Sequence, residues 1–311
     1  MTRIIAVGGA TGAQGGGLAR AILDDPDSGF AVRALTRKPD SDPARALADR
    51  GAEVVQADLD DVASVRAAFE GAHGAFCVTN FWEHFSPERE QAQARNMVEA
   101  AADAGVSHVI WSTLEDTRER VPLSDDRMPT LMGKYKVPHF DSKGEMDGLF
   151  LERTPATCLR TSFYWDNLIH FGMGPQREDG ALFFSLPMGD AKLPGIAASD
   201  IGGCALGLFR EGDAVIGRTE GIAGGHPTGA EMAAGLSDAL GEPVTYRALP
   251  FDVYRGLGFP GAEDLGNMFQ YKHDFEEEYC ATRPLDRSRR LNPRLQTFRD
   301  WAAANADKIA V

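Results

Sequence analysis

The sequence predicts an α/β protein with a doubly wound parallel sheet, and three observations carry this prediction. Short apolar runs rich in β-branched residues alternate with stretches that suit amphipathic helices. The connections between these runs are short through the first half of the chain. A glycine-rich turn also follows the first apolar run, close to the N-terminus. Strands and helices that alternate at such spacing build βαβ units, whose strands lie parallel in one sheet.

Six strands and five helices account for the first half of the chain. The strands are predicted at 3–7, 30–39, 53–56, 75–79, 109–112 and 156–161. The helices are predicted at 15–23, 43–50, 62–69 and 87–104, with a fifth that begins near Phe140. Proline or glycine ends several of these runs, as at Pro39 and Gly105.

The second half of the chain has a different pattern. From Phe163 onward it is rich in glycine, proline and aromatic residues, and one clear helical pattern covers 230–240. We therefore expect a Rossmann-type sheet domain at 1–162 and a smaller, irregular α+β lobe at 163–311 that covers a cleft. The two parts are expected to interleave along the chain.

Composition excludes several classes of partner. The chain of 311 residues is 43% hydrophobic and has 46 acidic against 32 basic residues, a formal charge of −14. This charge repels phosphate backbones and anionic membranes. The apolar runs are interrupted well before the ~18 residues that a membrane helix needs. We expect a soluble, cytoplasmic protein with no direct nucleic-acid or membrane partner.

The cysteines and histidines give no indication of a metal site. Four cysteines lie far apart without a C-x-x-C pair and predict buried, reduced thiols: Cys77, Cys158, Cys204 and Cys280. Seven histidines show neither H-x-x-x-H nor H-E-x-x-H spacing. The acidic stretch 273–280 is interpreted as an exposed helix, and no metal ligand is predicted.

The turn after the first strand has the spacing G-x-x-G-x-x-G at Gly9, Gly12 and Gly15. Glycines allow a tight turn, close approach of the backbone to a pyrophosphate, and close packing of helix on strand. The following helix directs its free N–H groups at the phosphates. The predicted pyrophosphate site consists of Gly9, Ala10, Thr11, Gly12, Ala13, Gln14 and Gly15.

The end of the second strand indicates which dinucleotide binds. An Asp or Glu there favours NAD, whereas Arg accommodates the 2′-phosphate of NADP. This chain has Arg37 and Lys38, so NADP(H) is the expected cofactor. Asp58 and Leu59 follow the third strand, where the adenine would lie.

The chain resembles the NmrA-like family of atypical short-chain dehydrogenases, and most closely its HSCARG-like branch of NADPH sensors. The matching pieces are spread over nearly the whole chain and stand in the same order. They are GGATGAQGG, VRALTRKP, GAEVVQADLDD, VTNFWE, HFDSKGE, YWDNL, SLPMGD and GFPGAEDLGNMFQ. The last of these makes the assignment to the branch specific.

The resemblance implies roles for residues along the cleft. It implies that residues 9–14 contact the pyrophosphate, Arg37 the 2′-phosphate and Lys143 the nicotinamide-side ribose. The other implied contacts are Tyr164 with Asn167 at the nicotinamide end, and Thr79 and Asn80 beside the cofactor. A lysine expected in the helix after VTNFWE is replaced here by Ala92, which removes one cofactor contact.

Catalysis is the question that the sequence leaves open. Ordinary short-chain dehydrogenases place a tyrosine four residues before the lysine, whose ammonium lowers the pKa of the phenol. Here Lys143 is preceded at that spacing by His139, and Tyr135 lies eight residues before it. His139 could act as the acid while Ser112 or Thr113 polarises a carbonyl. Alternatively Lys143 is itself the acid or base, or His139 only begins the helix.

Two functions are therefore expected. The first is an NADP(H)-binding sensor or regulator that reports the cofactor through a change of shape or of protein partner. The alternative is an NADPH-dependent oxidoreductase of a quinone, an enone or a similar small electrophile. Segments that leave the strand ends with little regular structure are the candidates for such a change: 81–86, 115–138 and 163–174. The sequence indicates no particular partner and no oligomeric state.

Overall fold

The computed structural model describes residues 2–311, and its strands follow the predicted alternation. The strands are β1 Arg3–Val7, β2 Phe30–Thr36, β3 Glu53–Gln56, β4 Gly74–Cys77, β5 His108–Thr113, β6 Ala156–Arg160, β7 Phe163–Tyr164, β8 Gln176–Glu178, β9 Ala181–Leu186, β10 Gly195–Ile196, β11 Thr219–Gly221 and β12 Val244–Ala248.

The helices lie between these strands and beyond the last one. They are α1 Ala13–Leu23, α2 Asp42–Asp49, α3 Val62–Phe69, α4 Pro87–Asp103, α5 Pro138–Arg153, α6 Asn167–His170, α7 Ala198–Glu211, α8 Gly229–Leu240, α9 Phe251–Arg255, α10 Ala262–Asp274, α11 Glu276–Ala281, α12 Leu285–Leu291 and α13 Phe298–Ala304. A short 3₁₀ turn at Phe81–Glu83 follows β4, and another at Thr117–Glu119 follows β5.

Seven parallel strands form the central sheet in the order β11-β6-β5-β4-β1-β2-β3. The predicted doubly wound α/β class is confirmed. Helices cover both faces, and each face has its own apolar core. The strand order reverses between β1 and β4, so the carboxyl ends of these two strands diverge and leave a crevice.

Two strands end earlier than predicted, because their pairing with neighbouring strands stops there. β2 ends at Thr36 instead of residue 39, because its last partner is Gln56 at the end of β3. β4 ends at Cys77 instead of residue 79, because its last partner is Trp111 of β5. The chain is thus released from the sheet early enough for Thr79 and Asn80 to enter the crevice.

The second half of the chain returns to the sheet domain. β11 pairs with β6, and α7 packs backbone to backbone on α1. A Cβ atom on Gly202 of α7 would lie 2.0 Å from the backbone nitrogen of Leu18, so this approach requires glycine. The remainder forms a lobe around the three-stranded sheet β12-β9-β8, with a core that includes Trp165, Phe269 and Trp301.

The segment 115–138 is a packed structure rather than an open loop. Val121, Met128 and Val137 are fully buried in it. Its one lysine that is buried, Lys136, donates from Nζ to the carbonyl oxygens of Asp125 (2.7 Å) and Met128 (3.0 Å). No helix within residues 2–311 is both long enough and apolar enough to span a membrane.

The four cysteines are free thiols. Cys77, Cys158 and Cys204 are buried, and Cys280 is half-buried. Burial raises the pKa of Cys158 to about 12 and that of Cys280 to about 11. Both thiols therefore stay protonated at neutral pH and are poor nucleophiles.

Candidate functional site

The glycine turn has the geometry that a pyrophosphate cradle needs. Gly9 lies at φ +60°, and the N–H of Gly12 donates to its carbonyl oxygen at 2.8 Å. A Cβ atom on Gly15 would come within 2.2 Å of the Gly8 carbonyl oxygen, so the close approach of helix to turn excludes any side chain there. α1 begins at Ala13 without a side-chain cap. Its first amides are therefore available to an anion.

Gln14 joins the glycine turn to the ends of two other strands. Its amide oxygen accepts from Ser112 Oγ at 2.7 Å, and its amide nitrogen donates to the hydroxyl of Tyr164 at 2.6 Å. Thr161 Oγ1 lies 3.3 Å from the same hydroxyl. Burial raises the pKa of Tyr164 to about 12, so the phenol stays protonated. The structure thus brings Ser112, Gln14 and Tyr164 together through hydrogen bonds.

Arg37 lies just beyond β2, and its side chain is about half exposed. Its guanidinium holds the carboxylate of Glu83 with both terminal nitrogens, at 2.5 and 3.0 Å. This hydrogen bond is the main reason that the pKa of Arg37 is raised. Lys38 and Asp58 are exposed near this end of the sheet. Glu83 could not be identified from the sequence, because it is 46 residues from Arg37 and lies on a different loop.

Lys143 of α5 reaches Thr79 just beyond the end of β4, and its ammonium is already bound there. Nζ donates to the hydroxyl oxygen of Thr79 at 2.5 Å and to the carbonyl oxygen of the same residue at 3.2 Å. It also lies 3.0 Å from Glu90 Oε1. A cofactor ribose would have to replace one of these bonds to contact Lys143.

Glu90 is a fully buried carboxylate that the sequence pattern does not distinguish from an exposed one. It accepts from Thr79 Oγ1 at 2.8 Å and from Ser142 Oγ at 2.5 Å, besides its contact with Lys143. Its position in the first turn of α4 is typical of an ordinary helix-start acid, so only burial marks it. Without Lys143 and the two hydroxyls this charge would be left unpaired in the interior.

His139 is buried and bound to the lobe. Its Nδ1 lies 2.7 Å from Asp264 Oδ1 of α10, and its backbone nitrogen donates to Oδ2 of the same carboxylate at 3.2 Å. The ring packs on Trp82 at a centroid distance of 4.7 Å. Tyr135 is fully buried in the segment 115–138, under the guanidinium of Arg118. Neither residue forms the tyrosine–lysine pair of ordinary short-chain dehydrogenases.

An apolar pocket of about 390 Å³ lies beside the His139–Asp264 pair. Its charged lining residues are Arg255, Glu263 and Asp264. The apolar part of the wall is formed by Phe81, Phe85, Leu131, Met132, Pro138 and Phe259. Phe85 and Met132 have positive φ values of 53° and 49°, which non-glycine residues rarely adopt. Backbone strain of this kind concentrates at functional sites.

The other expected cofactor residues lie along the same edge. Leu59 is half-buried at the end of β3, and its carbonyl accepts from Asn96 at 2.8 Å. Asn80 is exposed at the start of the turn after β4. Asn167 begins α6, three residues after Tyr164. These positions follow the carboxyl ends of parallel strands, where ligands of open α/β sheets bind.

The fold and the glycine turn define the class: an α/β protein built like the dinucleotide-binding proteins. The particular family follows from comparison of the whole chain. Residues 1–302 match the model of the NmrA-like family, and the chain belongs to that family.

Relatives of this family are named as oxidoreductases. The NmrA-like family domain-containing oxidoreductase FrzB of Cladobotryum sp is 32% identical over 92% of this chain and 88% of its own length. The similarly named hkm9 of Aspergillus hancockii is 30% identical over 92% of this chain and 88% of its own length.

Solved structures share the fold at lower identity. The negative transcriptional regulator Nmra in complex with NADP superposes with a TM-score of 0.78 at 23% identity, over 97% of this chain and 95% of that one. The triphenylmethane reductase of Citrobacter sp., complexed with NADP(H), gives 0.74 at 20% identity, over 98% and 100%. The likeness to these proteins establishes the fold, and both were crystallised with the expected kind of cofactor.

Proposed function

We propose that this protein binds NADP(H) across the crevice between β1 and β4 and acts as a sensor or regulator of the cofactor, as in the HSCARG-like branch. One observation carries the cofactor choice: an uncapped helix start behind a glycine turn, with Arg37 at the end of the next strand. The turn would hold the pyrophosphate, and the guanidinium would meet the 2′-phosphate.

The remaining contacts of the proposed complex follow the strand ends. Asp58 and Leu59 would border the adenine, and Tyr164 with Asn167 the nicotinamide. Lys143 would meet the nicotinamide-side ribose once it exchanges a bond to Thr79. The cleft would lie between the sheet domain, 1–162, and the lobe, 163–311.

The partners of Lys143 are Thr79 and Glu90 and include no phenol, which supports the sensor over a conventional carbonyl reductase. Lys143 is paired with Glu90 and Thr79, so no tyrosine pKa is lowered by its ammonium. The imidazole that takes the place of that phenol, His139, is held by Asp264. Hydride transfer to a simple aldehyde or ketone would therefore lack a ready proton donor.

An NADPH-dependent oxidoreductase is the second candidate. The aromatic pocket of about 390 Å³ is large enough for a small quinone or enone. It is lined by Asp264, the partner of His139, and the relatives named above are called oxidoreductases. In this case Lys143, His139 or Ser112 would supply the proton or polarise the acceptor.

A paired experiment distinguishes these functions. Calorimetric titration with NADP(H) and NAD(H) tests the cofactor, and equal affinities would contradict the role of Arg37. NADPH oxidation with a panel of quinones, enones, aldehydes and ketones tests turnover. Fast reduction that is lost in His139→Ala, with NADPH affinity retained, would replace the sensor by the oxidoreductase.

A further inference from the structure

The ion pair between Arg37 and Glu83 places a carboxylate on the guanidinium that the 2′-phosphate is expected to use. The two terminal nitrogens of Arg37 each bind one oxygen of Glu83, so the edge that these two nitrogens form is occupied. A guanidinium binds a phosphate bidentately through one of its edges, and this edge is one of those that a phosphate can use. Glu83 therefore holds part of the surface of Arg37 that a 2′-phosphate needs.

Both groups cannot share the guanidinium at low cost. A phosphate dianion seated on Arg37 would lie next to the carboxylate, and like charges at such separation repel. Arg89 is another cation close enough to feel the charge of Glu83, and it is itself held by Asp60 in a two-point contact. With this alternative partner already occupied, the arrival of a 2′-phosphate must release Glu83 toward solvent.

The ribose of NAD(H) makes no such demand. A carboxylate at the end of the second strand region can accept hydrogen bonds from ribose hydroxyls. Glu83 lies in the turn after β4, is about two-fifths exposed, and approaches the end of β2 through its contact with Arg37. NAD(H) can therefore be accommodated while the Arg37–Glu83 pair stays intact.

Glu83 also connects the cofactor to the apolar pocket. It ends the 3₁₀ turn Phe81–Glu83, and the backbone nitrogens of His84 and Phe85 donate to the Phe81 carbonyl at 3.2 and 2.8 Å. Phe81 and Phe85 line the pocket. Trp82, next to Glu83, packs on His139. Release of Glu83 therefore frees a segment in which Phe81 and Phe85 form part of the pocket wall.

We propose that Glu83 is a specificity-determining residue that competes with the 2′-phosphate for Arg37, so that NADP(H), but not NAD(H), releases the turn at 81–85. This inference rests on the proposed function and assigns to that site a means of telling the two cofactors apart. The competition weakens the binding of NADP(H). When NADP(H) binds, the released turn changes the wall of the pocket.

The test compares Glu83→Gln with the wild type in titrations with NADP and NAD. We expect the variant to bind NADP about fivefold more tightly, the upper range for losing an exposed ion pair, and to bind NAD within twofold of the wild type. Glu53→Gln is the matched control, because Glu53 pairs with Arg33 at 2.8 Å on the neighbouring strands and is similarly exposed. This control should leave both affinities unchanged.

Hydrogen exchange across 81–86 provides the second readout. In the wild type we expect NADP to alter exchange there and NAD to leave it near the free state. The unliganded Glu83→Gln protein should already exchange like the NADP-bound wild type. An unchanged or lower NADP affinity in Glu83→Gln, together with loss of NADP binding in Arg37→Ala, would overturn the competition and leave the proposed function intact. Failure of NADP to bind the wild type would overturn both.

Discussion

At the scale of single residues, Arg37 is the side chain on which the choice of cofactor depends. A charge-assisted hydrogen bond contributes roughly 1.5–3 kcal/mol, so one guanidinium on a phosphate should count for about ten- to a hundredfold in affinity. We expect Arg37→Ala to lose that much NADP affinity and to change NAD affinity less than threefold. Calorimetry measures both, with Arg45→Ala, another exposed arginine in an ion pair, as the control. Equal losses for the two dinucleotides would place the 2′-phosphate elsewhere.

Lys272 is a buried lysine from which we predict how the stability of the folded protein depends on pH. Its ammonium is buried among the rings of Phe140, Phe163 and Tyr279 and contacts the sulfur of Met268 at 3.4 Å. The rings favour the charged form, but burial and the neighbouring Arg283 outweigh them and lower the pKa to about 7.

The sign of the pH dependence follows from this lowered pKa. Between pH 7 and 10.5 the unfolded chain binds a proton at this lysine that the folded protein does not, so stability rises with pH. Over the full range the penalty relieved is roughly 5 kcal/mol. We therefore expect Lys272→Met to unfold at higher denaturant than the wild type at pH 6.5, with the difference narrowing by about 1.4 kcal/mol per unit from pH 7 to 9.

Denaturant unfolding at four pH values measures this effect. Lys192→Met, at an exposed lysine, is the control and should show no pH-dependent difference. A constant gap between wild type and Lys272→Met across pH 7–9 would mean that the buried amine does not titrate in that range.

The residues that sequence reasoning identified share one property. Arg37 and the glycines are recognised because their spacing along a single βα unit fixes their place, and the structure puts them there. Glu83, Glu90 and Asp264 were missed because each acts through a partner on another element. Asp264 and His139, for example, are 125 residues apart, and the sequence around neither residue indicates that the two side chains are in contact.

At the scale of secondary-structure elements, α5 determines where Lys143 lies. Gly144 faces the chain after β5, and a Cβ atom there would be 2.4 Å from the backbone nitrogen of Asp116. Gly148, one turn later, has no atom within 4 Å of such a Cβ. We expect Gly144→Ala to destabilise the protein by roughly 1–3 kcal/mol through overpacking and to weaken NADP binding, since it displaces the neighbouring Lys143.

Gly148→Ala is the matched control for the same helix. With open space around it, alanine should stabilise α5 by up to about 1 kcal/mol through its higher helix propensity and leave cofactor affinity unchanged. Thermal unfolding and calorimetry on both variants measure the two effects. If Gly144→Ala proved as stable as Gly148→Ala, the close contact of α5 with Asp116 would be wrong.

Elements with strong local patterns were predictable to the residue, whereas elements stabilised by distant partners were not. β1, β3 and α3 have the predicted bounds because apolar periodicity and capping act within each segment, as where Asp61 accepts from the backbone nitrogen of Ala63. β12 pairs in parallel with β9, some 60 residues earlier, and β11 is a three-residue strand that depends on β6. Such short strands carry almost no pattern of their own.

At the scale of the whole molecule, α10 holds the lobe to the start of α5 and to the segment 115–138. Three of its side chains make the connection. Asp264 binds His139, Asn267 donates to the carbonyl oxygens of Pro129 (2.9 Å) and Lys136 (2.6 Å), and Gln270 donates to that of Arg127 at 2.8 Å. Because these bonds attach the segment 115–138 to α10, we expect the segment to move together with the lobe and not independently of it.

This attachment changes which segments should respond to the cofactor. A sensor needs an element whose free energy differs between the empty and loaded forms, and tight packing makes 115–138 a poor one. The turn 81–86 is held at Arg37, where the 2′-phosphate would bind. The segment 163–174 begins beside the Gln14–Tyr164 bond and ends near Phe171, which is 63% exposed.

We expect NADPH to change hydrogen exchange in 9–15, 81–86 and 163–174. Hydrogen exchange in 115–138 should change only as much as it does in α10. Asn267→Ala is the matched perturbation, because it removes two bonds between α10 and 115–138 and should raise exchange in that segment with or without NADPH. Changes confined to 9–15 and the neighbourhood of Arg37 would leave a cofactor-binding protein without a switch. The oxidoreductase would then be the better explanation of the pocket near the His139–Asp264 pair. A rigid cleft that binds NADPH next to an apolar pocket suits hydride transfer to a small substrate, whereas a sensor needs a cofactor-dependent change of conformation.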